Sequence, residues 1–393
     1  MKPLLFSILP RPPHPTRDGL AIRNYHLLKG LAGEFRVRAF ALRAPHQDSG
    51  EYPEGVEGIE ISQPWRRLRQ AQAIWESIAG GGTYSVSLYR SRDLRRALRE
   101  TARAQAPSWF VAHSYHVGPF ALESGGHSWI DFHNVDSEIW RRVAPLTSSP
   151  WAARFARPQA MRVLECERRL VGSATGFSCV SERDASALSQ IGSRVAPLVV
   201  PNGVDLERYA FRAEPSRSRK VFFVGDLSWE PNAQAMRWWR AEVWPLVRRN
   251  HPEAVAEVLG RGAPKDLRRL ADESFLLLGE GRDSRPHWRD AAVAVVPLLS
   301  GGGTRLKILE AAAVGVPVVS TTVGAEGLKF DPGREILIAD APAAFASAVS
   351  ELLADPARQE RIARAARLRV ESLYDWNAIG RRFAEELIRR SSS

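Results

Sequence analysis

The stretch Val293–Thr322, VAVVPLLSGGGTRLKILEAAAVGVPVVSTT, narrows most what this chain can fold into. Its apolar run Val293–Leu299 fits a strand buried on both faces of a parallel sheet. Gly301, Gly302 and Gly303 then let the backbone turn sharply and leave room for something to lie against it. The pattern next predicts a helix over Thr304–Val314, stopped by Gly315 and Pro317. A second strand, Pro317–Ser320, follows. Strand, glycine loop, helix and strand form a βαβ unit, whose crossover is right-handed in nearly all proteins. Its ligand crevice lies at the carboxyl end of the strand, where the helix start offers N–H groups to an anion.

Side chains sharpen that expectation. Helical spacing puts Gly303, Lys307, Glu310 and Val314 on one face, and Leu306, Leu309 and Ala313 on a buried stripe. Arg305 falls in the first turn, beside Thr304. A phosphate there would meet backbone N–H groups and the two cations Arg305 and Lys307, and Glu310 suits two hydroxyls of a ribose. The plainer alternative is a glycine-capped helix with a Lys307–Glu310 surface pair.

The rest of the chain supports an α/β protein of two domains. Leu4–Leu9 reads as a first strand, not as a secretory signal, because no small-residue cleavage site follows it. Gly19 opens an amphipathic helix, and Arg17 and Arg23 read as solvated charges near it. Val37–Leu42, Trp109–His113, Trp129–Phe132 and Phe177–Ser181 are further strands. Trp65–Ile78, Tyr89–Gln105 and Trp151–Ser173 are helices. His133 follows a strand end, where ligands gather in open α/β sheets, and His113 and His116 end the neighbouring strand. After Leu198–Val200 come the turn Pro201–Asp205 and a polar hinge, Glu214–Lys220. From Val221 onward strands and helices alternate. The domain boundaries expected are 1–200 and 201–374, with a last helix, 375–393, crossing back to the first domain.

Composition excludes several classes. A chain of 393 residues with 44% hydrophobic and 25% charged residues suits two soluble cores. No apolar run approaches the roughly 20 residues that span a bilayer. Cys166 and Cys179 lack metal-like spacing, so a reducing cytoplasm fits. The net charge of +11 gathers on arginines of the first half, Arg92, Arg95, Arg96 and Arg99 among them. It fits arginine-rich composition or an anionic membrane surface better than nucleic acid, since no stacking platform accompanies it. There is no G-x-S-x-G, H-E-x-x-H, Walker A or early G-x-G-x-x-G motif.

The segments PNGVD at 201–205, FVGDLSWEPN at 223–232, GGGTRLKILEAAAVGVPVVST at 301–321 and GAEGL at 324–328 resemble glycosyltransferase family 4. That resemblance implies the GT-B fold, two facing Rossmann-like domains with a cleft between them. It implies a retaining, metal-independent hexosyltransferase of polysaccharide biosynthesis, cytoplasmic or peripheral at the inner membrane face. The donor would be a nucleotide diphosphate sugar, the acceptor a glycan or a lipid-linked glycan, and no cofactor is required. By position, Glu310 matches a ribose-binding glutamate, Gly19 a loop glycine near the donor, and DFHN at 131–134 a segment whose histidine, here His133, faces the donor sugar. Asn232 lies near the nucleotide base. Gly302 stands where the family carries the first of two glutamates, Glu310 being the second, and the family's Arg and Lys after the second domain's first strand are missing from Gly225–Asn232. Arg305 and Lys307 must then serve the diphosphate. A GT-B nucleotide-sugar epimerase and a non-catalytic nucleotide-sugar-binding subunit are the other classes.

Overall fold

The computed structural model describes residues 2–14, 18–45, 47, 49–64, 66–79, 82–143, 150–214, 216–281, 283–301 and 305–391. The expectations for Arg17, Gly302, Gly303 and Thr304 lie outside them. Two compact units divide the chain: Met1–Pro201 with Asn377–Ser393, and Asn202–Trp376.

In the first unit, strands β1 (Leu4–Leu9), β2 (Arg36–Arg43), β3 (Val56–Ser62), β4 (Trp109–Ala112), β5 (Ser128–Asp131), β6 (Gly176–Cys179) and β7 (Leu198–Val199) make one parallel sheet. Its order is β3-β2-β1-β4-β5-β6-β7. The connections carry helices α1 (Gly19–Glu34), α2 (Arg66–Ala79), α3 (Tyr84–Ser87), α4 (Arg92–Gln105), α5 (Gly118–Glu123), α6 (Asp136–Val143), α7 (Pro150–Ser173) and α8 (Glu182–Gln190). Every residue of β1 is buried, and Phe6 packs on Phe40 at 5.1 Å and on Phe110 at 5.7 Å. Four elements, β3, α3, α5 and α6, are absent from the sequence reading. Strand β3 is a half-exposed sheet edge whose VEGIEIS sequence carries no inward apolar run, while α5 and α6 are too short to show a period. The arginine-rich helix begins at Arg92, not Tyr89, because Ser91 caps it by accepting from the Leu94 N–H at 3.1 Å.

The second unit alternates β8 (Lys220–Val224), α9 (Glu230–Trp238), α10 (Trp244–Asn250), β9 (Val255–Leu259), α11 (Lys265–Arg268), β10 (Phe275–Gly279), α12 (Arg285–Asp290), β11 (Val293–Val296), α13 (Leu306–Val314), β12 (Val318–Ser320), β13 (Leu337–Ile338), α14 (Pro342–Ala354) and α15 (Pro356–Leu373). Its parallel sheet runs β10-β9-β8-β11-β12-β13. Strand β11 stops at Val296, earlier than the apolar run, because Pro297 has no N–H to give the ladder. Helix α13 starts two residues later than the pattern predicts, and Arg305 is its N-cap with φ −85° and ψ 85°. Its far end behaves as expected: Gly315 takes φ +89° and closes the helix through the Ala311 and Ala312 carbonyls. Helix α13 is buried almost all round, more than the single stripe expected of it.

The last helix, α16 (Trp376–Ser391), packs from Asn377 onward with the first unit. There the Trp109 Nε1–H donates to the Leu387 carbonyl at 3.2 Å, and the Arg390 guanidinium lies 5.0 Å from the Trp129 ring centre. Among the described residues, no helix is long and apolar enough to cross a membrane.

Candidate functional site

In an open parallel sheet, the crevice for a ligand forms where strand order reverses, at the carboxyl ends of the strands. In the second unit that point lies between β8 and β11. Helix α9 leaves β8 there and α13 follows β11, and their side chains meet. The Lys307 ammonium on α13 donates to the Asn232 Oδ1 on α9 at 3.2 Å and sits 3.8 Å from the centre of the Phe223 ring. Asn232, itself buried, is fixed from its other side by donating Nδ2–H to the Asp226 carbonyl at 2.8 Å. Gly225 lies directly beneath. A Cβ at that position would come within 2.8 Å of the Lys307 Nζ and 2.9 Å of the Asn232 Nδ2. Only glycine leaves those two groups in place.

The electrostatics of this pocket are unusual for a helix start. Burial pushes the Lys307 ammonium down from its ordinary 10.5 to about 7, and the neighbouring Arg305 charge adds to that. Arg305 is 5% exposed, and burial lowers it from 12.5 to about 10, with Glu326 opposing the shift. Its guanidinium lies 6.0 Å from the Trp229 ring centre. Gly301, at φ +116°, passes close to the same ring. Two cations held where their charge is costly amount to a site that gains when an anion arrives.

Glu310, one turn further along α13, does not pair with Lys307 as the plainer reading of the sequence has it. Its Oε2 accepts from the Trp288 Nε1–H at 3.2 Å, and Tyr209 also hydrogen-bonds it. Burial holds its carboxyl above the ordinary value, against those donors. A carboxylate has about four acceptor positions, so room remains for a further donor. Trp288 and Tyr209 were missed in the sequence; the HWRD run at 287–290 shows an indole but nothing of what it faces.

The first unit has its own cluster at the corresponding strand ends. Asp131, the last residue of β5, is fully buried and accepts from the Arg23 Nε–H and Nη2–H, both at 2.7 Å, and from the Ser178 hydroxyl at 2.6 Å. Arg23 is therefore not a solvated charge; it lies inside α1 and is 1% exposed. His133 follows β5 as expected, with its Nε2 3.3 Å from the Asp131 Oδ2. Burial lowers the His133 imidazole below its ordinary value, and Asp131 opposes the shift. His113 is buried and touches the Ser7 hydroxyl through Nε2 at 3.2 Å, and burial lowers it to about 4. His116 is lowered to about 3 by the same cause. Gly19 is the first residue of α1, but Asp18 before it already accepts from the Ala21 N–H at 3.1 Å and is paired with Arg11. The anion position of that helix start is filled by the chain itself.

Residues 218–355 match the family described as glycosyl transferases group 1. The second unit is a glycosyl transferases group 1 domain. This group 1 domain spans the whole of the Lys307, Asn232 and Glu310 cluster. Along more of its length the chain is 26% identical to a glycogen synthase of Mycobacterium tuberculosis, covering 92% of this chain and 88% of that one. A sucrose-phosphate synthase of Thermosynechococcus elongatus superposes over 100% of both chains with a TM-score of 0.75 at 18% identity. The Anabaena protein HepE, solved in complex with UDP and glucose, has a TM-score of 0.66 at 15% identity, over 98% of this chain and 99% of that one. With two parallel sheets flanked by helices, the chain has the GT-B fold.

Proposed function

We propose that the protein is a retaining glycosyltransferase that moves a sugar from a nucleotide diphosphate sugar to a glycan or lipid-linked acceptor in polysaccharide biosynthesis. One observation carries this reading. Lys307 is held desolvated beside Gly225 and Asn232, with the equally desolvated Arg305 acting on its charge, at the switch point of a group 1 domain. When the bond from the sugar's anomeric carbon to the diphosphate oxygen breaks, negative charge builds on that oxygen. Lys307 and Arg305 take up that charge, and in a water-poor site each is worth more than it would be in bulk water. No resident metal is required in this scheme, and no cofactor.

Glu310 is assigned the ribose hydroxyls, with Trp288 and Tyr209 orienting its carboxylate. Asn232 holds Lys307 and approaches the nucleotide. Gly301, with Gly302, Gly303 and Thr304, lets the donor lie against the backbone ahead of α13. His133 is assigned a contact with the donor sugar as a neutral imidazole fixed by Asp131. HepE was crystallised with UDP and glucose, so UDP-glucose heads the panel of donors. The reading also includes work at an anionic membrane face, where a lipid-linked acceptor would be found.

The test is to incubate the purified chain with a panel of nucleotide sugars and a glycan or lipid-linked acceptor, following nucleoside diphosphate release and the anomeric configuration of the product. Release that depends on acceptor, with retention, is the expected outcome. Interconversion of the sugar without release points to an epimerase. Binding without turnover of any donor points to a non-catalytic subunit.

A further inference from the structure

We infer that α2 is a docking element for an anionic lipid surface, lying along it through an apolar face turned away from the protein. This rests on the membrane-surface part of the reading above. It relocates that surface from the arginines of α4, where the sequence suggests it, to the helix before them.

An amphipathic helix on a soluble domain packs its large apolar side chains inward. Helix α2 is reversed. Leu68, Trp75 and Ile78 are 64%, 68% and 69% exposed, and Ile74 is also exposed. With the exposed Ala71 they recur at intervals of three and four, so they form one continuous stripe. The side of the helix that meets the protein carries Ala73 and Ser77 instead, both buried. Polar bonds hold that orientation. The Ser77 hydroxyl accepts from the Gln159 Nε2–H at 2.6 Å and from the Arg162 Nη1–H at 3.1 Å. Gln159 is tied in turn by accepting from the Tyr84 N–H at 2.9 Å. Rolling the stripe inward would break these bonds and bury nothing polar in exchange, so the outward stripe is built into the fold.

Charge selects the occupant. Arg67 lies exposed among the stripe residues. Arg90, 62% exposed, is held at the helix by Glu76 at 3.3 Å, and it leads directly into α4 with its exposed Arg92, Arg96 and Arg99. Two copies meeting through this face would set arginine against arginine. A bilayer of anionic lipid instead offers phosphates to the arginines and acyl chains to Leu68 and Ile78, with the Trp75 indole at headgroup level. At 1.5 Å per residue, a helix of this length presents roughly 20 Å of apolar edge in the plane of the interface.

Co-sedimentation with vesicles tests this on the full chain, using phosphatidylglycerol mixed with phosphatidylcholine, and phosphatidylcholine alone. The wild type should pellet with the anionic vesicles only. The triple variant Leu68→Ser, Trp75→Ser, Ile78→Ser should lose about tenfold in partitioning at constant salt while its circular dichroism and donor turnover in solution stay unchanged. A second variant, Arg92→Gln, Arg96→Gln, Arg99→Gln, should lose the salt-sensitive part of the binding. If the wild type ignores anionic vesicles, the membrane part of the function falls. If it binds but the serine variant binds equally, α2 is not the docking element. If ultracentrifugation shows a wild-type dimer that the serine variant dissolves, the occupant is a second copy, and the lipid assignment is overturned.

Discussion

The two strand-end clusters solve the burial of charge in opposite ways. In the first unit, Arg23 and Asp131 are buried as a bidentate pair, with Ser178 completing the carboxylate. Each charge there is answered within the chain, so the cluster gains little from a newcomer and acts as a frame that holds His133. In the second unit, Lys307 has an amide oxygen and a ring face as its nearest partners, and its proton is already loosened. One cluster is closed and the other is prepared for an anion. That difference supports the proposal that the diphosphate binds in the second unit.

Opening the closed cluster gives the largest expected effect. Asp131→Ala leaves the Arg23 guanidinium buried without its carboxylate, which should cost about 3–5 kcal/mol of stability in urea unfolding. Replacing both, Arg23→Met with Asp131→Leu, should cost far less, because the pair and its desolvation penalty leave together. A small loss for Asp131→Ala alone would mean that the first cluster is not closed after all.

Stripping the open cluster should do the reverse, sparing stability and removing rate. Lys307→Ala and Arg305→Ala should each lower turnover by about 10²–10³, roughly 2.7–4 kcal/mol of transition-state stabilisation. The double variant should be less than additive, since both cations serve one leaving group. Near wild-type rates for both single variants, with the fold intact, would return Lys307 and Arg305 to a structural role.

Glu310 comes next. Glu310→Ala should weaken nucleotide binding by about 1.5–3 kcal/mol in calorimetry, because a charged acceptor is lost. Trp288→Phe separates two causes: it removes the donor to Glu310 at 3.2 Å while leaving the carboxylate for a ribose. A loss as large as that of Glu310→Ala would show that the orientation of Glu310 matters as much as its charge. No loss in either variant would take Glu310 out of the site.

What was legible in the sequence follows the range of the interaction that fixes each feature. Helix α15, Pro356–Leu373, is set locally by a proline in its first turn and by Asp355 accepting from the Arg358 N–H. The βαβ frame around α13 was legible for the same reason. Arg23 was not, because its partner Asp131 lies 108 residues away, and a helical arginine next to a loop looks solvated until the sheet brings β5 beside it. Lys307 and Asn232 are 75 residues apart, and local spacing offered Lys307 the nearer Glu310 instead. The reversal of α2 was invisible too. A helical stripe predicts that one face is buried, but only Gln159 and Arg162 on α7 decide which face it is.

The smallest expected effect concerns pH, and it separates the two clusters without any substitution. Lys307 titrates at about 7 in the folded chain against 10.5 for an ordinary lysine. Between those values the unfolded chain holds the extra proton, so this group's contribution to stability rises with pH across that window. Donor binding has the opposite sign. A diphosphate favours the charged ammonium and raises its pKa, so binding must take up a proton wherever Lys307 is neutral in the free protein. Affinity should be highest below about pH 7 and fall by up to about tenfold per unit above it, until the pKa of the bound state is reached. Arg305 keeps its charge through this range, being lowered only to about 10, and a nucleotide sugar has no phosphate proton left to lose there. Calorimetry with the donor that the panel selects, from about pH 6 to pH 9 in buffers of different ionisation enthalpy, reads both the affinity and the proton count. Lys307→Arg should flatten the falling limb and abolish proton uptake, because a guanidinium stays charged throughout. A pH-independent affinity in the wild type would mean that Lys307 meets no anion when the donor binds, and the contrast between a closed and an open cluster would lose its functional meaning.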